Sequence, residues 1–156
     1  MIKLENVSAG YDGRTILRDV NLRIEPGSFH FLTGPSGSGK STFLRLLSLD
    51  LKPARGKLEM FGRDVTRVNV YDAAQLRRRM GIVLQDSPML DHLSVWHNVA
   101  VPLYVMGKRT SEFEDDVTDL VEWVGLRDSI YAPPATLSGG ERQRAAIARA
   151  VIGKPE

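Results

Sequence analysis

The chain contains a complete phosphate-binding loop pattern, G-x-x-x-x-G-K-[ST], which begins at Gly34 and continues through Lys40 and Ser41 to Thr42. A polyphosphate carries dense negative charge and many acceptor oxygens, so it requires many hydrogen-bond donors that converge at short range. Glycines allow the backbone to fold tightly with its N–H groups pointing inward, because no Cβ obstructs the turn or the ligand. The pattern therefore predicts a nucleotide-binding loop with Lys40 at the β- and γ-phosphates and Ser41 at Mg²⁺.

The residues on both sides of this loop fit such a site. Phe29 to Thr33 is a short apolar run that predicts a buried strand, and Ser41 to Leu49 has the composition of a helix. A helix that begins at the loop directs its positive N-terminal end at the phosphates. We therefore expect a strand, a loop and a helix in that order.

Composition restricts the class of protein. The 156 residues amount to one ordinary domain, and 42% hydrophobic and 26% charged residues are typical of a globular protein that is soluble in water. A net charge of +2 gives no support to nucleic-acid binding, and the absence of cysteine excludes disulfides and thiol chemistry. The apolar run from Val99 to Met106 is too short to cross a bilayer and is interrupted by Pro102.

Alternation of apolar and polar residues predicts further elements before residue 85. A turn is expected at Tyr11-Asp12-Gly13-Arg14. The predicted strands are Ile2–Val7, Thr15–Ile24, Lys57–Phe61 and Gly81–Leu84, and a helix is predicted over Ala73–Met80.

The pattern becomes helical from Asp86 onward. Ser94 to Met106 predicts a helix that is bent or split at Pro102. A capping box is predicted at Ser111–Glu114, followed by an apolar stripe at helical spacing that consists of Phe113, Val117, Leu120, Val121 and Val124. We expect an α/β fold that comprises a nucleotide-binding core (1–85), a helical subdomain (86–134) and a last segment (135–156).

Leu137-Ser138-Gly139-Gly140-Glu141-Arg142-Gln143 is the second informative segment, because it places a serine and two glycines at the start of an alanine-rich helix. A helix N-terminus with a small hydroxyl residue predicts a second anion site. Ser138 alone is equally explained as a simple N-cap beside flexible glycines. Its position after a complete phosphate loop favours the anion site.

The two motifs together resemble those of the ABC ATPases, whose signature sequence is L-S-G-G-[EQ]-x-Q. The resemblance implies that Tyr11 stacks on adenine and that Gln85 contacts Mg²⁺ and the attacking water. It also implies a head-to-tail homodimer in which Lys40 of one copy and Ser138 and Gly140 of the other face the same γ-phosphate. The nucleotide-binding residues so implied are Tyr11, Gly34, Pro35, Ser36, Gly37, Ser38, Gly39, Lys40, Ser41, Thr42, Gln85, Ser138, Gly139 and Gly140, with Lys40, Gln85 and Ser138 catalytic and Ser41 and Gln85 at Mg²⁺.

Within the family, the sequence that flanks the two motifs is similar to that of the cell-division branch, the FtsE-type ATPases. The similar segments include Phe31–Gly34, Gln85-Asp86, Leu90–Leu93, Asn98–Leu103 and Ile147–Val151. This branch implies ATP hydrolysis coupled to an FtsX-like integral membrane partner, contacted by the helical subdomain. It also implies a peripheral location on the cytoplasmic face of the bacterial inner membrane.

Three alternatives to the cell-division assignment remain. The first is an ABC exporter or lipoprotein-release ATPase, and the second is a nucleotide-binding module without catalysis. The third is a soluble ABC protein acting on DNA or ribosomes, which the single cassette and the compact spacing from Lys40 to Ser138 disfavour.

The resemblance also implies motifs that have no counterpart here. The family's Walker B aspartate, the glutamate after it and the switch histidine follow the signature, whereas His30, His92 and His97 all precede it. We therefore expect the chain to be an N-terminal fragment that by itself binds ATP weakly and does not hydrolyse it.

Overall fold

The computed structural model describes residues 1–85 and 88–156. Two compact units make up this described part, Met1–Ala74 and Gln75–Glu156. None of its helices combines the length and the apolar character needed to cross a membrane.

The first unit contains an antiparallel sheet with the strand order β2-β1-β3-β4. Its strands are β1 (Ile2–Tyr11), β2 (Arg14–Ile24), β3 (Arg55–Met60) and β4 (Arg63–Asp64). β1 and β2 form a hairpin that pairs from Ile2↔Ile24 to Tyr11↔Arg14, with register shifts between Leu4 and Gly10. Asp12 and Gly13 join them with φ values of 49° and 77°, and positive φ at both positions is the geometry of a two-residue type I′ turn. The N-terminal antiparallel strands and the turn at residues 11–14 are thus confirmed.

The core of this unit is formed by buried residues of β1, β3 and helix α1 (Lys40–Leu47), and α1 contacts β1 and β2. In β3 the buried residues alternate, as the period of two requires, whereas register shifts interrupt this alternation in β1. The buried side chains are Leu4, Val7, Ala9, Leu58 and Met60 from the strands and Phe43 and Leu46 from α1. Burial of Phe43 and Leu46 fixes the orientation of α1, and this orientation positions the loop that precedes it.

Helix α2 (Val70–Arg77) is followed by three helices that make up most of the second unit: α3 (Val95–Val105), α4 (Glu114–Trp123) and α5 (Gly139–Val151). Short 3₁₀ turns lie at Thr110–Glu112, Arg127–Ser129 and Pro134–Thr136. One core joins the three helices, and it includes Val99, Leu103, Val117, Val121, Ala145 and Ala148. The predicted stripe along α4 is confirmed, since Phe113, Val117 and Val121 are buried and Leu120 and Val124 pack against them.

Two predicted strands are absent from the described residues. Phe29 and Phe31 are 81% and 83% exposed and pack only edge to face on each other, with ring centroids 4.9 Å apart. Ile82–Leu84 is likewise exposed and irregular. An apolar run becomes a buried strand only where it joins a sheet, and the sheet of the described residues consists of β1 to β4 without either run.

Two helix predictions also need correction. The reciprocal bond before α4 is formed by Glu112, whose carboxylate accepts from the Arg109 N–H at 2.6 Å, and not by the predicted Ser111–Glu114 box. The apolar stripe determines where α4 begins, and its first helical residue is Glu114 itself. Of the two possibilities predicted at Pro102, a split is not observed, because helix α3 continues through Pro102 and ends at Val105, less than one turn later.

Candidate nucleotide-binding site

The loop from Gly34 to Gly39 has a backbone that only glycine adopts readily at its key positions. Gly34 has φ 151° and Gly39 has φ 93°. A Cβ on Gly34 would lie 2.8 Å from the Ser38 Oγ, and a Cβ on Gly39 would lie 3.1 Å from both Ile16 and Leu17 of β2. The loop turns back on itself through a bond from the Ser38 N–H to the Pro35 carbonyl of 3.3 Å. Glycine is therefore required both by the turn and by the contact with the sheet.

Lys40 places its charge over this loop. Its Nζ donates to the carbonyl oxygens of Gly34 at 2.8 Å and Pro35 at 2.7 Å. An ammonium group has three N–H donors, so these two bonds leave one donor for an anionic ligand. The two bonds also restrict where the flexible side chain can place its charge.

Helix α1 begins at the loop with Gly39 as its N-cap, and no side chain in the described residues caps it. The first N–H groups of a helix have no intrahelical acceptor, and the helix dipole makes this end positive. The Ser41 side chain is exposed at this end, whereas Thr42 is buried. Loop, ammonium and helix start together form a cradle of donors that suits a polyphosphate.

Tyr11 lies at the end of β1, on the same unit as the cradle, and is half-buried. Its phenol interacts with Arg45 in the last turn of α1, and the hydrogen bond between them raises the pKa of the Arg45 guanidinium. This contact ties the position of the Tyr11 ring to the same helix that positions Lys40.

The other predicted residues belong to the second unit. The Gln85 side chain is exposed and follows the irregular run at residues 82–84, while Asp86, where the helical segment is expected to begin, lies outside the described residues. Ser138 is the N-cap of α5: its Oγ accepts from the Glu141 N–H at 3.3 Å, and the Glu141 carboxylate accepts from the Ser138 N–H at 2.9 Å. The Ser138 hydroxyl also donates to that carboxylate, and these bonds lower the pKa of Glu141.

Gly139 and Gly140 form the first turn of α5 with open space around them. A Cβ on Gly139 would meet nothing within 4 Å, and one on Gly140 would meet only the Arg144 Nη1 at 3.8 Å. Glycine in a helix costs about 1 kcal/mol relative to alanine. No contact among the described residues of this chain explains why glycine is present at these two positions.

Neither the role of Asn98 nor the reciprocal Ser138–Glu141 capping box was predicted from the sequence. The box has a recognisable signal, because serine followed three residues later by glutamate is the capping-box pattern. Asn98 has no comparable signal in a single sequence. It lies in the middle of an apolar helix, and its function depends on which backbone groups the fold brings to it.

A family model described as "ABC transporter" matches residues 17–156. The chain belongs to the ABC transporter ATP-binding family. The relatives of this ABC protein include "Cell division ATP-binding protein FtsE" of Escherichia coli (strain K12), at 42% identity over 99% of this chain and 70% of that relative. They also include "Methionine import ATP-binding protein MetN" of Clostridium acetobutylicum, at 37% identity over 100% of this chain and 49% of that relative.

A solved structure confirms the ABC cassette fold. A dimeric, post-hydrolysis form of the ATP-binding cassette MJ0796, bound to ADP and Pi, superposes with a TM-score of 0.91 at 31% identity. The match covers 99% of this chain and 71% of that one. The predicted α/β cassette with antiparallel strands at its start and helices around its signature segment is therefore confirmed.

Proposed function

We propose that this ABC protein is the ATP-binding subunit of an FtsE-type complex, which couples ATP binding and hydrolysis to an integral membrane partner in bacterial cell division. The observation that carries the nucleotide-binding part is the donor cradle, in which Lys40 is held over a glycine loop at the start of α1. The cell-division part is supported by the 42% identity to the E. coli FtsE.

In this proposal, residues of the first unit bind the phosphates and the base of the nucleotide. The N–H groups of Gly37 to Lys40 and the Lys40 ammonium hold the β- and γ-phosphates, and the Tyr11 ring stacks on adenine. Ser41 and Gln85 are the residues that would hold Mg²⁺, since hydroxyl and amide oxygens are ligands that this ion accepts. Bound Mg²⁺ supplies positive charge that offsets the charge of the phosphates.

Ser138, Gly139 and Gly140 act on the nucleotide of a second copy. The start of α5 is an exposed helix N-terminus, and its two glycines leave room for close approach by a group from outside the chain. We propose that two copies are arranged head to tail, with each γ-phosphate between Lys40 of one copy and Ser138 of the other. The dimeric form of MJ0796 with ADP and Pi supports the formation of a dimer.

The helical segment of residues 86–134 contacts the membrane partner, an FtsX-like protein, and the complex lies on the cytoplasmic face of the inner membrane. A second candidate function is import, because the C. acetobutylicum MetN is 37% identical. The two candidate functions predict different phenotypes when the protein is depleted. Depletion in the organism of origin should block division under the first function, whereas a growth defect that added solute corrects would favour the second.

The nucleotide site is tested by Lys40→Ala, measured by titration with a fluorescent ATP analogue in the presence of Mg²⁺. Loss of a charge-assisted contact to two phosphates should weaken binding at least about 100-fold, or about 2.7 kcal/mol. The matched control is Lys57→Ala, which removes a lysine of β3 that pairs with Glu59 in the sheet. Equal affinity of wild type and Lys40→Ala would contradict the proposal.

A further inference from the structure

We propose that Asn98 is a positioning residue that holds the loop of residues 88–94 on the first turn of α3, and thereby links the position of Gln85 to that of Ser138. The inference rests on the proposed function, in which Gln85 serves the nucleotide of its own copy and Ser138 serves that of the second copy.

Asn98 is fully buried, with none of its surface exposed. Its Oδ1 accepts from the Leu90 N–H at 2.8 Å, and its Nδ2 lies 3.0 Å from the Leu90 carbonyl oxygen. The same Nδ2 lies 3.1 Å from the carbonyl oxygen of Leu93 and 3.0 Å from that of Ser94. These four hydrogen bonds of the amide therefore all go to backbone atoms of residues 90–94.

Within this loop, Met89 packs against the core of the three helices, and three of the residues after it are exposed. The Leu90 side chain is 41% exposed, and Asp91 and His92 are also exposed. A leucine or valine would suit the apolar surroundings of position 98 better for packing alone, because an amide costs free energy to bury unless it is bonded. The asparagine is explained by the loop that it holds, which begins three residues after Gln85.

The same turn of α3 holds a second segment on its other side. The N–H groups of Val95 and Trp96 donate to the carbonyl oxygens of Ala132 at 3.0 Å and Ile130 at 2.8 Å. These are donors that a helix start leaves free, so residues 130–132 cap α3 with backbone.

That second segment leads directly to the start of α5. The Arg142 guanidinium of α5 donates to the Pro134 carbonyl at 3.0 Å, and Ser138 follows four residues later. The Asn98 side chain, two backbone bonds of α3 and the Arg142 side chain thus join the loop of residues 88–94, the first turn of α3 and the segment before Ser138. A shift at Gln85 when nucleotide binds is transmitted to Ser138 only while Asn98 keeps the loop on the helix.

The test compares wild type, Asn98→Ala and Asn98→Asp with the control Thr118→Val, using the full chain. Thr118→Val removes the acceptor of the Trp96 Nε1–H bond of 3.0 Å, so it also costs a bond to α3 but leaves the 88–94 loop untouched. Asn98→Asp has nearly the size of asparagine and keeps the acceptor for the Leu90 N–H, but its buried carboxylate would face three carbonyl oxygens. Asn98→Ala adds no charge, so it serves if Asn98→Asp fails to fold.

Three quantities are measured: hydrogen exchange of residues 88–94 without nucleotide, affinity for a non-hydrolysable ATP analogue, and self-association with that analogue bound. We expect both Asn98 variants to exchange at least about 10-fold faster in the loop. Nucleotide affinity should stay within about threefold of wild type, whereas self-association should weaken at least about 10-fold. Thr118→Val should match wild type in all three.

Each of the other possible outcomes would contradict one specific part of the proposal. Unchanged loop exchange in the Asn98 variants would show that Asn98 does not hold the loop. Wild-type self-association in those variants, or an equal loss in Thr118→Val, would overturn the link from Gln85 to Ser138. A wild-type chain that binds no nucleotide would overturn the proposed function and this link with it, while the loop-exchange result would stand separately.

Discussion

At the scale of single residues, Gly34 is a position in the phosphate loop where both the backbone conformation and the available space disfavour a side chain. Its φ of 151° belongs to a region that residues with a Cβ rarely adopt, and the space where a Cβ would lie is filled by the Ser38 hydroxyl. A side chain at this position would be resisted both by the backbone and by the loop itself. Because Lys40 donates to the Gly34 carbonyl, any shift of residue 34 also moves the ammonium.

We expect Gly34→Ala to weaken binding of an ATP analogue at least about tenfold while the chain remains folded, because the strain of about 1–3 kcal/mol falls on the loop. Fluorescence titration and circular dichroism measure the two effects. Gly62→Ala is the matched control: Gly62 also has a positive φ of 72°, but a Cβ there would meet nothing within 4 Å. If Gly62→Ala lost as much nucleotide affinity, general strain rather than loop geometry would be responsible.

At the scale of elements, helix α5 begins with a negative charge that its own cap holds. The Glu141 carboxylate receives bonds from the Ser138 hydroxyl and N–H, which lower the pKa of Glu141 below its ordinary value. The carboxylate also lies in the first turn, where the helix dipole favours negative charge. Folding therefore favours the ionised form of Glu141, and the start of α5 gains stability from it.

The stabilisation by Glu141 should depend on pH in one direction. Because the pKa is lower in the folded chain, the gain is fully present above the unfolded value of about 4.3 and is lost as pH falls through the folded pKa. We expect the wild-type Tm to exceed that of Glu141→Gln by a constant margin from pH 7 to about pH 5, and by a shrinking margin below about pH 4.3. Thermal unfolding followed by circular dichroism measures both. A margin that stayed constant down to pH 3 would contradict this origin.

At the scale of the whole molecule, the proposed site is divided between two copies of the chain. The donor cradle belongs to the first unit, and the start of α5 belongs to the second. Each unit has its own core, so each presents its part of the site on a rigid support. Nucleotide binding and self-association are therefore separable in a variant that changes only α5.

We expect Ser138→Arg to keep nucleotide affinity within about threefold of wild type but to abolish self-association in the presence of a non-hydrolysable ATP analogue, because the large side chain fills the space that the second copy requires. Loss of the cap should cost about 1 kcal/mol, which is too little to unfold the chain. Analytical ultracentrifugation measures the self-association. Ser111→Arg, at an exposed position before α4, adds the same charge and should associate normally. A dimeric Ser138→Arg chain would argue against the head-to-tail arrangement.

Local patterns of this chain predicted those features whose energetics are local. The Asp12-Gly13 hairpin turn, the glycine loop and the buried stripe of α4 each depend on the conformational preferences or the spacing of neighbouring residues. Prediction of the apolar runs at 29–33 and 82–84 as buried strands failed for the opposite reason. Strand pairing is a contact between distant segments, and an apolar run does not contain its partner.

The sequence by itself determined the family, and the spacing of glycine, lysine and serine in the loop predicted a set of donors for phosphate. Only the tertiary structure decided which buried polar group holds the loop near Gln85. Asn98 acquires its role from the carbonyl and N–H groups of residues 90–94, which the packing of α3 brings within 3.1 Å of it. Hydrogen bonds of this kind depend on distances that no single-sequence pattern encodes.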